Sequence, residues 1–168
     1  FTINEAYFLS RLRGVDAPSS FRYLVLTTEM KNILPRQTVI VYPDGTNHPA
    51  SWVGNEAATK GKQVQMVPTY LIPDLKRHLF LRWNNEFVTS VSPATWLTEQ
   101  PLILPGQNAV AIEPEKTVAG ALAFMVPEDH MKQLSLHYYD TNYGHAEIPL
   151  IGAMTRELDR ISTLPPKP

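Results

Sequence analysis

Apolar residues recur at every second position in three runs near the end of the chain. The alternating positions are Leu122, Phe124 and Val126 in residues 120–126, Leu134, Leu136 and Tyr138 in residues 134–139, and Ala146, Ile148 and Leu150 in residues 146–151. Turn-forming residues separate the runs, at 127–129 and at 140–144. Such alternation is typical of strands with one buried face. The pattern therefore predicts three consecutive antiparallel strands that share one core.

Earlier segments of the chain also have strand-like composition. They are residues 2–11, 21–31, 37–42, 78–83 and 102–104. The run FRYLVLTTEMK is long and rich in β-branched and aromatic residues, so we predict a central strand there. The 15 prolines are spread along the chain, which favours short strands with long connections over helices. The predicted fold is an antiparallel, immunoglobulin-like β-sandwich in the all-β class.

The predicted domain organisation is a single sandwich domain over residues 1–161. Residues 47–73 show no sustained period and are predicted to form a long irregular insertion. Short helical turns are expected at 73–79 and 93–98. A short C-terminal helix is expected at 153–161, where Met154, Leu158 and Ile161 follow helical spacing. The Pro-rich residues 162–168 predict an extended tail or linker.

Charge and composition exclude several classes of function. The formal net charge is −1 and basic residues cluster only briefly, so a nucleic-acid partner is not expected. No apolar run reaches the roughly 18 residues of a membrane-spanning helix. The absence of cysteine excludes disulfides and thiolate chemistry. The chain opens at Phe1 in strand-like sequence, and we expect a processed or trimmed product.

The common catalytic motifs do not occur in the sequence. It contains no GxSxG, no HExxH, no phosphate-binding loop and no GxGxxG after a strand. A non-enzymatic function is therefore favoured. The alternative in the enzyme class is a carbohydrate-active or hydrolytic enzyme, and its cleft would lie at the central insertion.

Histidine and carboxylate side chains concentrate in the last predicted hairpin. The candidate metal ligands are His130, His137, Asp140 and His145. If the turn after Tyr139 closes a hairpin, His137 and His145 approach each other. The side chain of His137 then points to the opposite face of the sheet from Leu136. Imidazole and carboxylate ligands suit zinc or copper. The competing interpretation is that these are ordinary polar positions on an exposed sheet face.

Two further features suggest binding. The sequence Asp140–Thr141–Asn142 is similar to the start of a calcium loop, although the closing Glu is missing and these are also common turn residues. Aromatic residues could form a contact surface, and the candidates are Tyr139, Tyr143, Trp52 and Trp96. The alternative for each of them is packing in the core or across strands.

Three segments together resemble the DUF4352-type immunoglobulin-like domains of bacterial envelope and secreted proteins. They are FRYLVLTTEMKN, the Leu104–Gly106 loop that leads into GALAFMVPED, and LSLHYYD followed by HAEIPL. The resemblance covers residues 1–31 and 102–152, and the central region departs from it. It implies a sandwich with an accessory or interaction role and provides no catalytic residues.

These observations combine into one functional hypothesis. The chain is expected to be a non-enzymatic binding or structural module of a larger exported or envelope-associated protein. Its expected location is extracytoplasmic, and its expected partner is another protein. The two alternatives are the metal-binding module and the enzyme with a central cleft.

Overall fold

The computed structural model describes residues 1–141 and 144–150. Strands contain 52% of these residues and helices 13%, so the fold belongs to the all-β class, as predicted. The predicted C-terminal helix and the Pro-rich tail lie outside the described residues, as does Tyr143. None of the helices in the described ranges combines the length and apolar character needed to cross a membrane.

The strands are short apart from two runs of 11 residues. In chain order they are β1 (Thr2–Leu9), β2 (Arg11–Leu12), β3 (Val15–Asp16), β4 (Phe21–Lys31), β5 (Gln37–Val41), β6 (Asn47–Pro49), β7 (Lys62–Met66), β8 (Tyr70–Ile72), β9 (Leu79–Trp83), β10 (Glu86–Ser90), β11 (Val110–Ile112), β12 (Thr117–Pro127), β13 (Leu134–Asp140) and β14 (Gly144–Pro149).

The helices are single turns. The α-helices are α1 (Asn55–Ala58) and α2 (Leu75–His78), and 3₁₀ turns occupy Ala50–Trp52, Pro93–Leu97 and Glu128–His130. Asp74 caps α2 by accepting a hydrogen bond from the Lys76 N–H, and Ser92 caps the Pro93–Leu97 turn in the same way. The helical turns predicted at 73–79 and 93–98 are confirmed.

The chain divides into two compact units. The first contains Phe1–Glu29, Pro73–Val110 and the described residues from Ala119 onward. The second contains Met30–Ile72 and Ala111–Val118. The predicted insertion at 47–73 falls almost entirely in the second unit.

One sheet of the first unit has the strand order β1-β4-β12. Strand β4 lies in the middle, which confirms the prediction of a central strand. Its Leu24 and Leu26 are fully buried, and Leu26 is paired with Ala6 of β1 in an antiparallel register. A long β-branched and aromatic run suits this position because both of its neighbours are strands.

Strand β12 corrects the prediction of three consecutive paired strands. It belongs to the β1-β4-β12 sheet, whereas β13 and β14 belong to another sheet. It is also buried on both faces: Phe124 is fully buried, and Ala121 and Ala123 pack into a second apolar cluster with Tyr23 and Val25. Small Ala side chains allow that second layer to approach closely. The prediction of a single core face was therefore wrong for this strand.

The segment before β11 lies along β12 without forming the strand predicted at 102–104. Pro101 makes an isolated parallel bridge to Ala121, and the Leu102 N–H donates to the Ala121 carbonyl at 2.9 Å. The backbone comes so close that a Cβ on Gly120 would lie 2.5 Å from Leu102 Cα. Irregular backbone, fixed by these contacts, replaces the predicted strand.

The other large sheet of the first unit has the order β10-β9-β13-β14. Strands β13 and β14 form the predicted antiparallel hairpin, with Leu136 opposite Ile148. Strand β9 pairs with the other side of β13, with Leu81 opposite Leu136. Of the alternating residues predicted to share one core, those that are buried are Leu122, Phe124, Val126, Leu134, Leu136 and Leu150, while Tyr138 and Ile148 are half-buried and Ala146 is exposed.

The second unit is more regular than predicted. Residues 47–73 contain β6, β7 and β8, and the first two flank β5 in a three-stranded sheet of order β6-β5-β7. Buried Asn32 donates to the carbonyls of Pro68 and Ile112 at 2.8 and 2.9 Å, while its side-chain oxygen accepts from the Leu34 N–H. The prediction of an irregular insertion is corrected. Val64 and Met66 of β7 alternate with Gln63 and Gln65, but the run is short and the strand is mostly exposed, so it has no buried apolar face.

Candidate functional site

The candidate site is the outer face of the β10-β9-β13-β14 sheet. Successive side chains of a strand point to opposite faces. Leu79, Leu81 and Leu136 are fully buried on the inner face. The residues that alternate with them along each strand, and the residues paired with those on neighbouring strands, lie on the outer face. Those outer-face residues are Phe80, Arg82, Phe87, Ser135, His137, Tyr139, His145 and Glu147.

A row of four rings crosses this face. Phe87 and Phe80 have centroids 6.1 Å apart, and Phe80 stacks on His137 at 5.5 Å with an interplanar angle of 15°. His137 stacks in turn on His145 at 4.9 Å and 19°. The row runs from edge strand β10 to edge strand β14, with one ring on each strand. Phe87 is 64% exposed, whereas His137 is buried.

Hydrogen bonds hold His137 at both ring nitrogens. Its Nδ1 lies 2.7 Å from Nε2 of His145, and its Nε2 lies 2.8 Å from Oγ of Ser135. Glu147, directly opposite on β14, places Oε1 3.6 Å from the same Nε2. A neutral imidazole has one donor and one acceptor nitrogen, so a neutral His137 satisfies both bonds. The bond between His137 and His145 joins β13 to β14 through side chains as well as backbone.

Burial lowers the pKa of His137 below its ordinary value, because the charged form loses its water. Glu147 acts in the opposite direction and raises this pKa, while the neighbouring His145 and Arg82 lower it further. The net direction is downward. His137 is therefore a neutral hydrogen-bonding group at neutral pH.

Among residues 1–141 and 144–150, strand β14 is the last strand on one side of this sheet. The Leu150 N–H donates to the Leu134 carbonyl at 2.9 Å, so Leu150 and every second residue before it direct their backbone groups toward β13. The backbone groups of His145, Glu147 and Pro149 consequently point away from β13. The side chains of His145 and Glu147 are exposed.

The structure brings together two of the four predicted metal ligands. His137 and His145 meet as predicted, with His137 on the opposite face from Leu136. Asp140 is three residues from His137 along β13, so it lies on the inner face, where it is buried and accepts from the Tyr138 hydroxyl at 3.1 Å. Asn142, the third residue of the calcium-like sequence, lies outside the described residues.

His130, the fourth predicted ligand, lies in a different environment. Its Nδ1 is 2.5 Å from Asp129 Oδ1, and its ring meets Trp83 edge-on at 4.4 Å. Trp83 follows Leu81 by two positions on β9, so this contact is on the inner side of the sheet. Within the described residues, no group of three or more His, Asp or Glu side chains is arranged to hold a metal ion.

The predicted aromatic contact residues are dispersed. Tyr139 is 49% exposed on the outer face, beside the ring row. Trp96 is on the Pro93–Leu97 turn, with Lys76 Nζ 5.4 Å from its ring centroid, and Trp52 belongs to the second unit. Tyr143 lies outside the described residues.

Phe80 and Phe87 were not predicted from the sequence as site residues. The sequence signal for their hairpin is the pair Asn84–Asn85, because Asn tolerates the left-handed conformation of a two-residue hairpin turn. In the structure these two residues have φ of 46° and 67°. The short run Glu86–Ser90 after this turn gives strand β10.

The chain matches none of the family models, curated proteins and solved structures with which it was compared.

Proposed function

We propose that this chain is a non-enzymatic protein-binding module that contacts its partner through the outer face of the β10-β9-β13-β14 sheet. The observation that carries the proposal is the row of Phe87, Phe80, His137 and His145, which crosses a face whose outermost ring is 64% exposed. Aromatic rings flanked by polar groups are typical of the centres of protein interfaces.

The stacking of the rings favours a protein partner over a sugar. Sugar-binding platforms offer ring faces to the ligand, whereas Phe80 and His137 turn their faces toward each other. Ring edges and the flanking Arg82, Tyr139 and Glu147 remain for a partner. A mixed apolar and polar surface of this kind suits peptide backbone and side chains.

The finer architecture and location belong to the same proposal. The first unit contains a three-stranded and a four-stranded sheet, which supports an immunoglobulin-like β-sandwich. The resemblance to DUF4352-type domains supports an accessory role in a larger exported or envelope-associated protein. We carry both forward as proposals together with an extracytoplasmic location.

The test compares two substitutions of exposed apolar residues. Wild-type protein, Phe87→Ser and Ile33→Ser are used to capture partners from extracts of the source cells, and the captured protein is identified by mass spectrometry, purified and titrated calorimetrically. Ile33 is 84% exposed in the second unit and is the matched control. We expect Phe87→Ser to weaken binding about tenfold or more and Ile33→Ser to leave it unchanged. Equal affinities for the three proteins would reject this surface.

A second candidate function is binding of zinc or copper at His137 and His145. The 2.7 Å separation of Nδ1 and Nε2 favours it, because two imidazole nitrogens already converge. Two imidazoles are fewer ligands than a structural zinc site uses, so further ligands would have to come from a partner or from water. Metal analysis after dialysis tests this candidate.

A further inference from the structure

The exposed edge of β14 carries a self-complementary pattern. Its outward backbone groups come from His145, Glu147 and Pro149, and Pro149 has no N–H to donate. His145 and Glu147 flank Ala146 and both place their side chains on the outer face. No described residue pairs with this side of β14, which ends the sheet order β10-β9-β13-β14. Such an edge is a template for another strand.

We propose that β14 pairs antiparallel with β14 of a second copy of this chain, about a twofold axis at Ala146. In this register His145 lies opposite Glu147 of the partner subunit, and Glu147 lies opposite His145 of the partner subunit. Both are hydrogen-bonded pairs, because the backbone groups of both residues point outward. The pairing gives four backbone hydrogen bonds and places an imidazole beside a carboxylate twice, as an isologous contact requires.

Charge favours this register over the register whose twofold axis lies at Glu147. An axis at Glu147 would also pair outward backbone groups, but it would place two carboxylates directly opposite each other, which is unfavourable. It would also use Pro149, whose missing N–H removes donors from the ladder. An axis at Ala146 replaces like charges with complementary groups and leaves Pro149 outside the ladder.

The interface is small, so the dimer is weak. One short strand edge on each side buries far less than the roughly 1,200 Å² of a stable complex. We therefore expect the dimer to have a dissociation constant of roughly 10 μM to 1 mM. The dimer joins two four-stranded sheets and continues the outer face across both copies. The dimer and the partner surface proposed above share His145 and Glu147, but Phe87 lies on the opposite edge strand, β10, so substitution of Phe87 tests the partner surface without touching the dimer contact.

The direct test is amide hydrogen exchange by NMR on the full chain, from about 20 μM to 1 mM at pH 7, beside sedimentation equilibrium. The amides of His145 and Glu147 should become protected as concentration rises. The Ala146 amide points toward β13 and should be protected throughout. Concentration-independent exchange of His145 and Glu147, or a monomer at 1 mM, would overturn the proposal.

A charge exchange tests the register. His145→Glu places carboxylates opposite each other, and Glu147→Lys places Lys opposite His, so each should raise the dissociation constant about tenfold or more. The double variant H145E/E147K restores opposite charges and should recover dimerisation. Glu86→Lys on β10 is the charge-matched control and should behave as wild type.

Two outcomes of this experiment contradict the proposal. A double variant that is as monomeric as the single variants refutes this register. A dimer that tolerates His145→Glu lies elsewhere on the molecule. Phe87→Ser should leave the dimer intact even if it abolishes partner binding, so failure of either proposal is visible separately.

Discussion

Nδ1 of His137 lies 2.7 Å from Nε2 of His145, with the two rings nearly parallel at 19°. This bond joins a buried position on β13 to an exposed position on the edge strand β14. Because this bond involves the buried ring, it links the stability of the hairpin to the protonation of His137.

Stability should fall as pH drops from about 7 to 5. Because the pKa of folded His137 lies below its ordinary value of 6.5, the unfolded chain takes up the proton first. The contribution is present above about pH 6.5 and is lost as pH falls through the lower folded pKa. Urea denaturation at a series of pH values measures it. His137→Gln should flatten this part of the profile, and an unchanged slope would assign the dependence to other groups.

Phe124→Ala should lower the free energy of unfolding by about 3–5 kcal/mol, because it empties a fully buried aromatic site. Phe87→Ala is the control: its ring is 64% exposed and its removal should change stability far less. Urea denaturation measures both. A similar cost at the two positions would contradict the assignment of core and surface.

Gly120→Ala should destabilise the first unit by about 1–3 kcal/mol, because the new methyl group would meet the Leu102 backbone at 2.5 Å. Gly54→Ala is the control, since no atom lies within 4 Å of its Cβ position and its φ is negative. Thermal unfolding compares the two variants. Equal melting temperatures would show that Leu102 does not pack on β12 as described.

Purified protein dialysed against buffer should retain less than stoichiometric zinc or copper. Asp140 and His130 lie away from the His137–His145 pair, so a full ligand set is not provided by the predicted residues. Elemental analysis measures the content. Stoichiometric metal that disappears in His137→Ala would instead establish the metal-binding function.

The Ser135–His137–His145 chain should not confer hydrolase activity. Its hydrogen bonds join a hydroxyl group to one imidazole and that imidazole to a second one, which is how an imidazole activates a hydroxyl nucleophile in hydrolases. Catalysis would also need oxyanion donors placed to stabilise the transition state and a substrate held in position beside the hydroxyl. Turnover of p-nitrophenyl acetate should be the same for wild type and Ser135→Ala. A clear loss in the variant would reveal an esterase.

The local pattern along the chain was enough to predict the all-β class and the main strands. Alternating Leu134 and Leu136, and the turn after Tyr139, predicted the hairpin and the approach of His137 to His145. These features are readable because side-chain direction alternates strictly along a strand. The long run of β4 similarly predicted its central place.

Tertiary structure decided which strands pair and which faces are covered. Strand β12 follows the alternating pattern of β13, yet it joins β4, because small Ala121 and Ala123 admit a second apolar layer. Alternation along β13 already separates Asp140 from His137, but only tertiary packing placed His130 against Trp83 and away from the His137–His145 pair. The same holds for Phe80 and Phe87, which only strand pairing across the sheet brings into the ring row with His137. Local sequence fixes the direction of each side chain, and long-range packing fixes what that side chain meets.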